Sequence, residues 1–484
     1  MIKTGALAVL VVMMSFLLGF ARDLSIAARF GTSAEADFIF LALLIPAIVE
    51  NIFGLSVRDA LIPYLNAARA AGREVARAVA ARIGWPLLSG ALVLTLTLIM
   101  APETVIRLLV PGWSADLATA AAPSFQVGAV VILLSVWAYF LAALLHLEGQ
   151  FVLPLWRTVF MNLGALLAMW LWTASAVVVL WGIAVSLALH LGWMQIRLGR
   201  DAFLPRRTSK GPKPFARFFV PLLVATLATQ INVLAERFFA SWLDEGTISQ
   251  LSYAYRIATI PLTLFSLSVL SIVFTRLTQA QDRGETDTVN GQIAFALSLT
   301  FFLMVPMAVF LAVWSAEIVE LLLQRGAFSA TDTQETAAML RAYCPGVLFL
   351  ALGLLLSRVS LSLGRVKPIL VSGVVSVSVT LGLDYALISS MGGQGLALAM
   401  SLGAFAGSGL LLVWLRFDAV ELVRRVVVWA ACGSAIFVVL SLWPIGGLIG
   451  ILLSAVPVAA ITLGGGHLDP FLRAEGLKLR RGES

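Results

Sequence analysis

The chain has 484 residues, of which 60% are hydrophobic and 12% are charged, and its formal net charge is +7. Soluble globular proteins carry roughly 25% charged residues, so this composition, with a mean hydropathy of +0.98, is that of a membrane protein. Soluble enzymes, nucleic-acid-binding proteins and disordered scaffolds are therefore excluded. The two cysteines and three histidines form neither a disulfide framework nor a metal-binding motif.

Apolar stretches long enough to cross a bilayer recur along the chain, and none shows the alternation typical of membrane strands. The sequence predicts an all-α polytopic membrane protein with fourteen transmembrane helices. We interpret the first stretch as a membrane helix and not as a secretory signal peptide, because thirteen further spans follow it. The predicted spans are 5–28, 35–65, 83–101, 123–146, 151–173, 175–197, 216–243, 247–275, 291–315, 336–362, 367–390, 393–416, 421–443 and 445–463.

Charged residues in the loops predict the orientation of the chain, because positively charged loops stay in the cytoplasm. The segments 66–82 and 197–217 are rich in arginine and lysine, whereas the loop at 244–245 carries two acids and no base. Both termini are therefore expected on the cytoplasmic side. The basic residues of the C-terminal tail agree with this orientation.

The arginines of the first basic segment recur every four residues, at Arg69, Arg73 and Arg77, so they share one face of a helix. Two interpretations follow. The helix either lies on the headgroups of anionic lipids or is a solvated helical extension. In a membrane protein the net positive charge reports orientation and contact with anionic lipid, and we expect no nucleic-acid partner.

The chain contains an internal repeat. The stretch from Leu18 to Pro46 aligns without a gap on the stretch from Val233 to Pro261, at an offset of 215 residues. Further similar segments begin at Leu108 and Leu321, and at Gly149 and Gly364. Each repeat holds six spans, an even number, so both halves enter the membrane in the same direction and form a parallel repeat. This organisation is typical of transporters.

The repeat sets the predicted domains. Spans 13 and 14 lie outside it, and a basic, proline-containing stretch joins the halves. The predicted domains are an N-terminal six-helix lobe (1–198), a basic cytoplasmic linker (199–214), a C-terminal six-helix lobe (215–417), transmembrane helices 13 and 14 (418–463) and a basic cytoplasmic tail (464–484).

Several ionisable side chains lie inside predicted spans, where each costs at least about 2.5–3.5 kcal/mol on insertion scales. Such a group either faces a wet cavity or pairs with a neighbour. Arg22 and Arg256 lie in equivalent regions of the two halves, which favours a shared central cavity. Because guanidinium groups match the oxygens of phosphate groups, the expected ligand is a phosphate or pyrophosphate.

Glu236 and Asp384 are the carboxylates inside spans best suited to hold Na⁺ or to take up a proton, because a hard cation prefers oxygen ligands. The alternative for each is an ion pair with a nearby arginine. The sequence contains no GxxxxGK[ST] motif, so transport would use an ion gradient or the membrane potential. It also contains no HExxH, CxxC or triad-like set, so we expect a transporter and not an enzyme.

Four stretches resemble the lipid II flippase (MurJ/MviN) family, within the multidrug, oligosaccharidyl-lipid and polysaccharide exporter superfamily. They are LGFARDLSIAARFGTSAEADFIFLALLIP, GTISQLSYAYRIATIPLTLF, LLLQRGAFSATDTQETAAMLRAY and GLALAMSLGAF. The resemblance covers essentially the whole chain. It implies two six-helix lobes with an alternating-access cavity that moves an undecaprenyl-pyrophosphate-linked saccharide from the cytoplasmic to the periplasmic leaflet. It also implies that spans 13 and 14 form a groove for the lipid tail.

The resemblance implies roles for single residues. Arg22 and Asp23 match the Arg-Asp pair of the family's first span, and Asp37 matches its acidic residue at the start of the second. Arg256 matches the arginine of a YADRL-like motif in the eighth. The expected substrate-binding residues are Arg22, Asp23, Asp37, Arg58 and Arg256.

The expected cation-coupling residues are Glu236, Thr380 and Asp384. Glu236 and Asp384 fall where some family members hold sodium with carboxylates, and Thr380 replaces an asparagine in the same region. A second replacement there is Met400, where the family has threonine. The resemblance thus leaves either Na⁺ or H⁺ as the coupling ion.

Other departures from the family pattern concern the second and eighth spans. Glu50 and Asn51 stand where the family has basic residues, Arg58 and Asp59 are introduced just after them, and Tyr255 replaces the aspartate of YADR. The changed charges of the second span favour, as an alternative substrate, a lipid-linked exopolysaccharide repeat unit.

Lipid II is the first expected substrate. A cation-coupled multidrug exporter is a further alternative, although such a protein should have a carboxylate-rich, aromatic cavity. A membrane scaffold would not need buried charges at equivalent places in two halves. The expected location is the bacterial inner membrane, with a lipid-linked glycan and anionic lipids as partners and the chain as a monomer.

Overall fold

The computed structural model describes residues 2–56, 61–70, 72–172, 175–199, 230–266, 286–415, 419–443, 446–469 and 472–473. Over these residues the chain is helical and contains no strand, which confirms the predicted all-α class. The chain divides into two compact units. The first consists of Met1–Ser249 with Arg325–Ser329, and the second of Gln250–Gln324 with Ala330–Ser484.

The first unit is organised around one long helix, α7. Its helices are α1 (Ile2–Phe30), α2 (Ala34–Ala42), α3 (Leu44–Ser56), α4 (Ile62–Arg69), α5 (Arg73–Met100), α6 (Pro102–Leu109), α7 (Ala115–Leu147), α8 (Trp156–Leu171) and α9 (Ala176–Leu198). Residues 230–240 are also helical. Helices α2, α3, α5, α6 and α9 all pack against α7, so this helix forms the core of the unit.

The second unit is organised in the same way around α14. Helix α10 (Thr247–Ala258) crosses the boundary between the units at Ser249. The helices that follow are α11 (Ile260–Phe265), α12 (Thr286–Val313), α13 (Ser315–Leu323), α14 (Ala330–Ser362), α15 (Lys367–Leu415), α16 (Ala419–Ser441) and α17 (Gly447–Leu468). Helices α11, α12, α13 and α15 pack against α14.

The internal repeat is visible in the helix bounds. Helices α5 and α12 both have 28 residues, and α7 and α14 both have 33. The equivalent glycines Gly149 and Gly364 follow α7 and α14 with φ values of 74° and 70°. Such φ values are readily adopted only by glycine, so the two halves use the same tight turn at the same place. Both halves therefore build the same succession of elements.

Two predicted spans are broken helices, which corrects the sequence prediction. The predicted span 35–65 is interrupted at Leu43 between α2 and α3, and the predicted span 247–275 is interrupted at Thr259 between α10 and α11. The cause is a proline in the first turn of the following helix, Pro46 in α3 and Pro261 in α11. Proline has no N–H to continue the preceding helix, whereas it fits a first turn.

The number of spans also differs from the prediction. Among the described residues, nine helices are long and apolar enough to cross a membrane, and the predicted number of fourteen is not confirmed. Broken helices fall short of the roughly 20 residues that a span requires. One of the nine, α15, covers two predicted spans. Gly392 lies between these spans and has non-helical angles of φ 54° and ψ −135°. The short helices α6 and α13 were not predicted.

The predicted domain boundaries stay predictions. Residues 200–214 of the predicted linker, and most of the tail at 464–484, lie outside the described residues. The first compact unit continues past the linker to Ser249 and takes in 325–329.

Candidate substrate-binding and cation-binding residues

Arg22 lies on α1 and is held by two neighbours of the first unit. Its Nε and Nη2 donate to Oδ1 of Asp23, at 3.0 and 2.8 Å, and its Nη1 donates to Oδ1 of Asn162 on α8, at 3.0 Å. Asn162 in turn donates to the carbonyl oxygen of Ser15, at 3.2 Å. The guanidinium group has five N–H donors, and these bonds use three of them. The Arg22 side chain is 20% exposed, so two donors are available for a ligand.

Asp37, at the start of α2, binds the first turn of α10. Its Oδ2 accepts a hydrogen bond from the backbone N–H of Gly246, at 2.8 Å, and its Oδ1 accepts one from Ser249, at 2.7 Å. The N–H groups of a first turn have no partner within their own helix, and they attract negative charge. Asp37 is 2% exposed, and both of its oxygens are occupied by backbone donors. Its predicted contact with the substrate stays a prediction.

Two further close contacts within the first unit are made by backbone atoms. Gly246 has a φ of 91°, and a Cβ placed there would lie 1.9 Å from the carbonyl oxygen of Thr32. The backbone N–H of Ala327 donates to the carbonyl oxygen of Ala28, at 2.8 Å. Only glycine at position 246 permits the approach that brings the first turn of α10 to Asp37.

The remaining predicted substrate-binding residues are distributed as follows. Arg58 lies outside the described residues. Asp23 is buried beside Arg22. Arg256 lies in the last turn of α10 and is partly exposed. It belongs to the second unit, whereas Arg22 belongs to the first, so each is described within its own unit.

Tyr255, which replaces an aspartate of the family motif, has an aromatic partner. Its ring meets that of Tyr343 on α14 edge to face, with 5.5 Å between the ring centroids. Tyr343 is 3% exposed. An aromatic contact of this kind contributes about 0.5–1.5 kcal/mol beyond burial alone. At this position, packing between α10 and α14 has therefore taken the place of a charge.

The predicted cation-coupling residues also belong to different units. Glu236 forms an ion pair with Arg237, with 3.3 Å between Oε1 and Nη1, in agreement with the ion-pair alternative. In the second unit, Thr380 and Asp384 lie one helical turn apart on α15, and they are 3% and 1% exposed. Residues four apart share a helix face, so both side chains place oxygen atoms on one face of α15. Their predicted role in cation coupling stays a prediction.

No three or more His, Cys, Asp or Glu side chains cluster in the part of the chain that the structure describes. A cation at Asp384 would therefore depend on hydroxyl and backbone oxygens besides this carboxylate. The Thr380 hydroxyl, which donates to the carbonyl oxygen of Ser376 at 2.9 Å, keeps its lone pairs for such a role.

An unpredicted group of charges lies in the first unit. Arg157 on α8 donates from Nη2 to Oε1 of Glu50 on α3 and to the hydroxyl of Tyr139 on α7, the latter at 3.0 Å. Its guanidinium carbon lies 4.8 Å from the centroid of the Tyr139 ring, as in a cation–π contact. A lone arginine at the start of the fifth predicted span was the signal that could have identified this group.

Two arginines of the basic segment contact the end of α7. Arg69 donates to the carbonyl oxygen of Leu147, and Arg77 pairs with Glu148 at 3.0 Å. The last carbonyl groups of a helix have no partner within the helix and attract cations. These two guanidinium groups therefore stabilise the C-terminal end of α7.

The second unit contains an apolar cavity of about 610 Å³. It is lined by residues of α12, α14, α15 and α16, among them Phe301, Phe349, Phe405, Trp429 and Phe437. This volume is in the range of ligand pockets, and its wall is almost entirely hydrocarbon and aromatic. Helix α16 corresponds to predicted span 13, where the resemblance implies a groove for a lipid tail.

Comparisons with known proteins agree with the resemblance. The family model described as lipid II flippase MurJ matches residues 26–456. A probable lipid II flippase MurJ of Vibrio cholerae is 26% identical over 492 residues, covering 96% of this chain and 93% of the relative. A probable lipid II flippase MurJ of Aquifex aeolicus is 28% identical over 368 residues, covering 74% and 71%.

Solved structures show the same fold. The structure titled lipid II flippase MurJ, inward closed conformation, has a TM-score of 0.83 at 22% identity and covers 96% of this chain and 98% of its own. An inward-facing multidrug resistance MATE family transporter has a TM-score of 0.69 at 14% identity and covers 85% and 97%. At these identities the likeness concerns the fold alone.

Proposed function

We infer that this chain, which belongs to the lipid II flippase MurJ family, is a membrane transporter that flips a lipid-linked saccharide, with lipid II as its main substrate. The observation that carries this inference is the family match over residues 26–456. The protein is a multi-pass inner-membrane protein and not an enzyme. We further propose that both termini are cytoplasmic, that the chain works as a monomer and that it contacts anionic lipids.

Different parts of the protein are suited to the pyrophosphate and to the polyprenyl tail of such a substrate. Arg22, with two N–H donors available, is suited to a pyrophosphate oxygen, because a guanidinium group stays charged at every physiological pH. We propose that Asp23 takes part in pyrophosphate binding by positioning Arg22. We propose Arg58 and Arg256 as further polar contacts of the pyrophosphate. The apolar cavity lined by Trp429 is suited to part of the polyprenyl tail.

A lipid-linked exopolysaccharide repeat unit is the second candidate substrate. The observation in its favour is Glu50, which places a carboxylate where the family pattern has a basic residue and which is neutralised by Arg157. A different distribution of charge along the transport route favours a different headgroup.

A rescue experiment separates the two substrates. Cells depleted of their own lipid II flippase are expected to resume growth when they express this chain. The matched control is the same chain with Arg22→Ala, produced at the same membrane level. Normal expression without rescue would contradict lipid II as the substrate, and restored export in a strain that lacks its exopolysaccharide flippase would then support the second candidate.

The proposed coupling by Na⁺ or H⁺ can be tested at Asp384. If Na⁺ binds at Asp384 and Thr380, sodium chloride should raise the Tm of the purified protein above its value in choline chloride at equal ionic strength, because a ligand that binds the folded state stabilises it. Asp384→Asn should abolish this difference, since the neutral amide loses the charge that holds the ion.

The control for this experiment is Glu320→Gln, which changes an exposed carboxylate on α13. It should keep the full sodium effect. A sodium effect that persists in Asp384→Asn would contradict binding at this residue. If the unchanged protein shows no sodium effect but its transport follows an imposed pH gradient, H⁺ is the coupling ion.

A further inference from the structure

The ion pair between Glu50 and Arg157 is asymmetric in its exposure. The Arg157 side chain is 8% exposed, whereas the Glu50 side chain is 34% exposed. Arg157 also donates from Nη1 to the sulfur of Met161, at 3.0 Å, and lies against the Tyr139 ring. The cation is thus enclosed by three helices, and the carboxylate is the more exposed member of the pair.

This asymmetry determines which ligands the site accepts. A buried guanidinium group must be paired, so Arg157 holds the Glu50 carboxylate in place and does not itself reach a ligand. An ionised carboxylate only accepts hydrogen bonds. Glu50 bonds Arg157 through Oε1, and its accessible surface therefore attracts hydroxyl and amide N–H groups and repels phosphate.

The position of the pair along α8 relates it to the proposed pyrophosphate contact. Asn162, which bonds Arg22, follows Arg157 by five residues on the same helix. Five residues correspond to a rise of about 7.5 Å and a rotation of about 140°, so the two side chains leave α8 on different faces, Asn162 toward α1 and Arg157 toward α3 and α7. One helix therefore anchors a guanidinium site and, about one and a half turns away, a carboxylate site. A lipid-linked saccharide offers the matching succession, with an acceptor-rich pyrophosphate next to donor-rich sugars.

We propose that Glu50 is a specificity-determining contact for the saccharide, and that its carboxylate accepts hydrogen bonds from the hydroxyl and amide N–H groups of the glycan. Arg157 and Tyr139 are positioning residues, which hold the Glu50 carboxylate in place. The inference rests on the proposed function, because it assumes that the transported molecule is a lipid-linked saccharide.

The test compares two ligands in native mass spectrometry of the purified full-length protein. One is lipid II, and the other is undecaprenyl pyrophosphate, which has no saccharide. Glu50→Gln should weaken binding of lipid II about tenfold and leave binding of undecaprenyl pyrophosphate within about twofold, because a hydrogen bond to a charged acceptor is stronger than one to a neutral acceptor. Glu148→Gln, which alters another arginine-paired carboxylate of the first unit, should change neither affinity.

A charge exchange, Glu50→Arg with Arg157→Glu, separates recognition from folding. It keeps the opposite charges together but makes the exposed member cationic. We expect undecaprenyl pyrophosphate to bind more tightly than in the unchanged protein, and lipid II to lose its advantage over it. Should the exchanged protein fail to fold, Glu50→Gln, which is nearly isosteric, decides alone.

Two results would overturn the inference. In one, Glu50→Gln leaves the affinity for lipid II unchanged or weakens both ligands in parallel. In the other, the exchanged protein folds and still prefers lipid II over undecaprenyl pyrophosphate as the unchanged protein does. The ion pair would then be needed for the fold, and the charge of its exposed member would have no effect on which ligand binds. An unchanged protein that binds neither lipid would contradict the proposed function instead.

Discussion

Replacing Arg22 by alanine should abolish transport of the lipid-linked saccharide while the protein still folds. The substitution removes the donors available for the pyrophosphate, and hydrogen bonds between charged groups contribute about 1.5–3 kcal/mol each. Losing two of them corresponds to a loss in affinity of at least about a hundredfold. The fold should survive with reduced stability, because removing the ion pair of the buried Asp23 costs about 3–5 kcal/mol, whereas total stabilities are about 5–15 kcal/mol.

The measurement is flipping of a labelled lipid-linked saccharide in vesicles that contain equal amounts of purified protein. Arg22→Lys should retain a small part of the activity, since lysine keeps the charge but not the planar fork. Arg29→Ala is the matched control, because Arg29 lies on the same helix and covers the Trp170 ring at 4.8 Å. Transport by Arg22→Ala at the rate of the unchanged protein would remove Arg22 from the mechanism.

Replacing Asp37 by alanine should lower the free energy of unfolding by about 2–6 kcal/mol. The substitution leaves the N–H groups of Gly246 and Ser249 buried without an acceptor, and each unsatisfied buried group costs about 1–3 kcal/mol. It also removes the negative charge from the N-terminal end of α10. Asp37→Asn should recover part of the loss, because the amide keeps one acceptor oxygen.

Thermal unfolding and amide hydrogen exchange test this prediction together. The exchange of Gly246 and Ser249 should accelerate more than that of residues in α7. Asp116→Ala is the control, because Asp116 is an exposed acidic residue in the first turn of α7 and should contribute no more than about 1 kcal/mol. An Asp37→Ala protein with an unchanged Tm and unchanged exchange would show that the first turn of α10 does not depend on this carboxylate.

The helix breaks show how far local rules reach. Pro46 and Pro261 are compatible with interruptions in the second and eighth spans, because proline has no N–H to bond the preceding turn. Proline alone does not predict a break, since Pro86, Pro123 and Pro306 lie inside continuous helices. Hydropathy alone did not reveal the interruptions, since apolar residues continue across Leu43 and Thr259. The short helices α6 and α13 were missed for a related reason, because they are too short to appear as apolar spans.

The sequence by itself determined that this protein lies in a membrane, that it is helical and that it contains an internal repeat. Hydropathy and the spacing of apolar residues are properties of neighbouring residues, and the repeat appears when the chain is compared with itself. The sequence also identified Arg22 and Asp37 as charges that need partners. Only the tertiary structure decided which partners they have. Glu50 and Arg157 are 107 positions apart, and Asp37 and Ser249 are 212 apart. No local pattern relates such positions, since their contacts arise from the packing of helices that chain order does not place together.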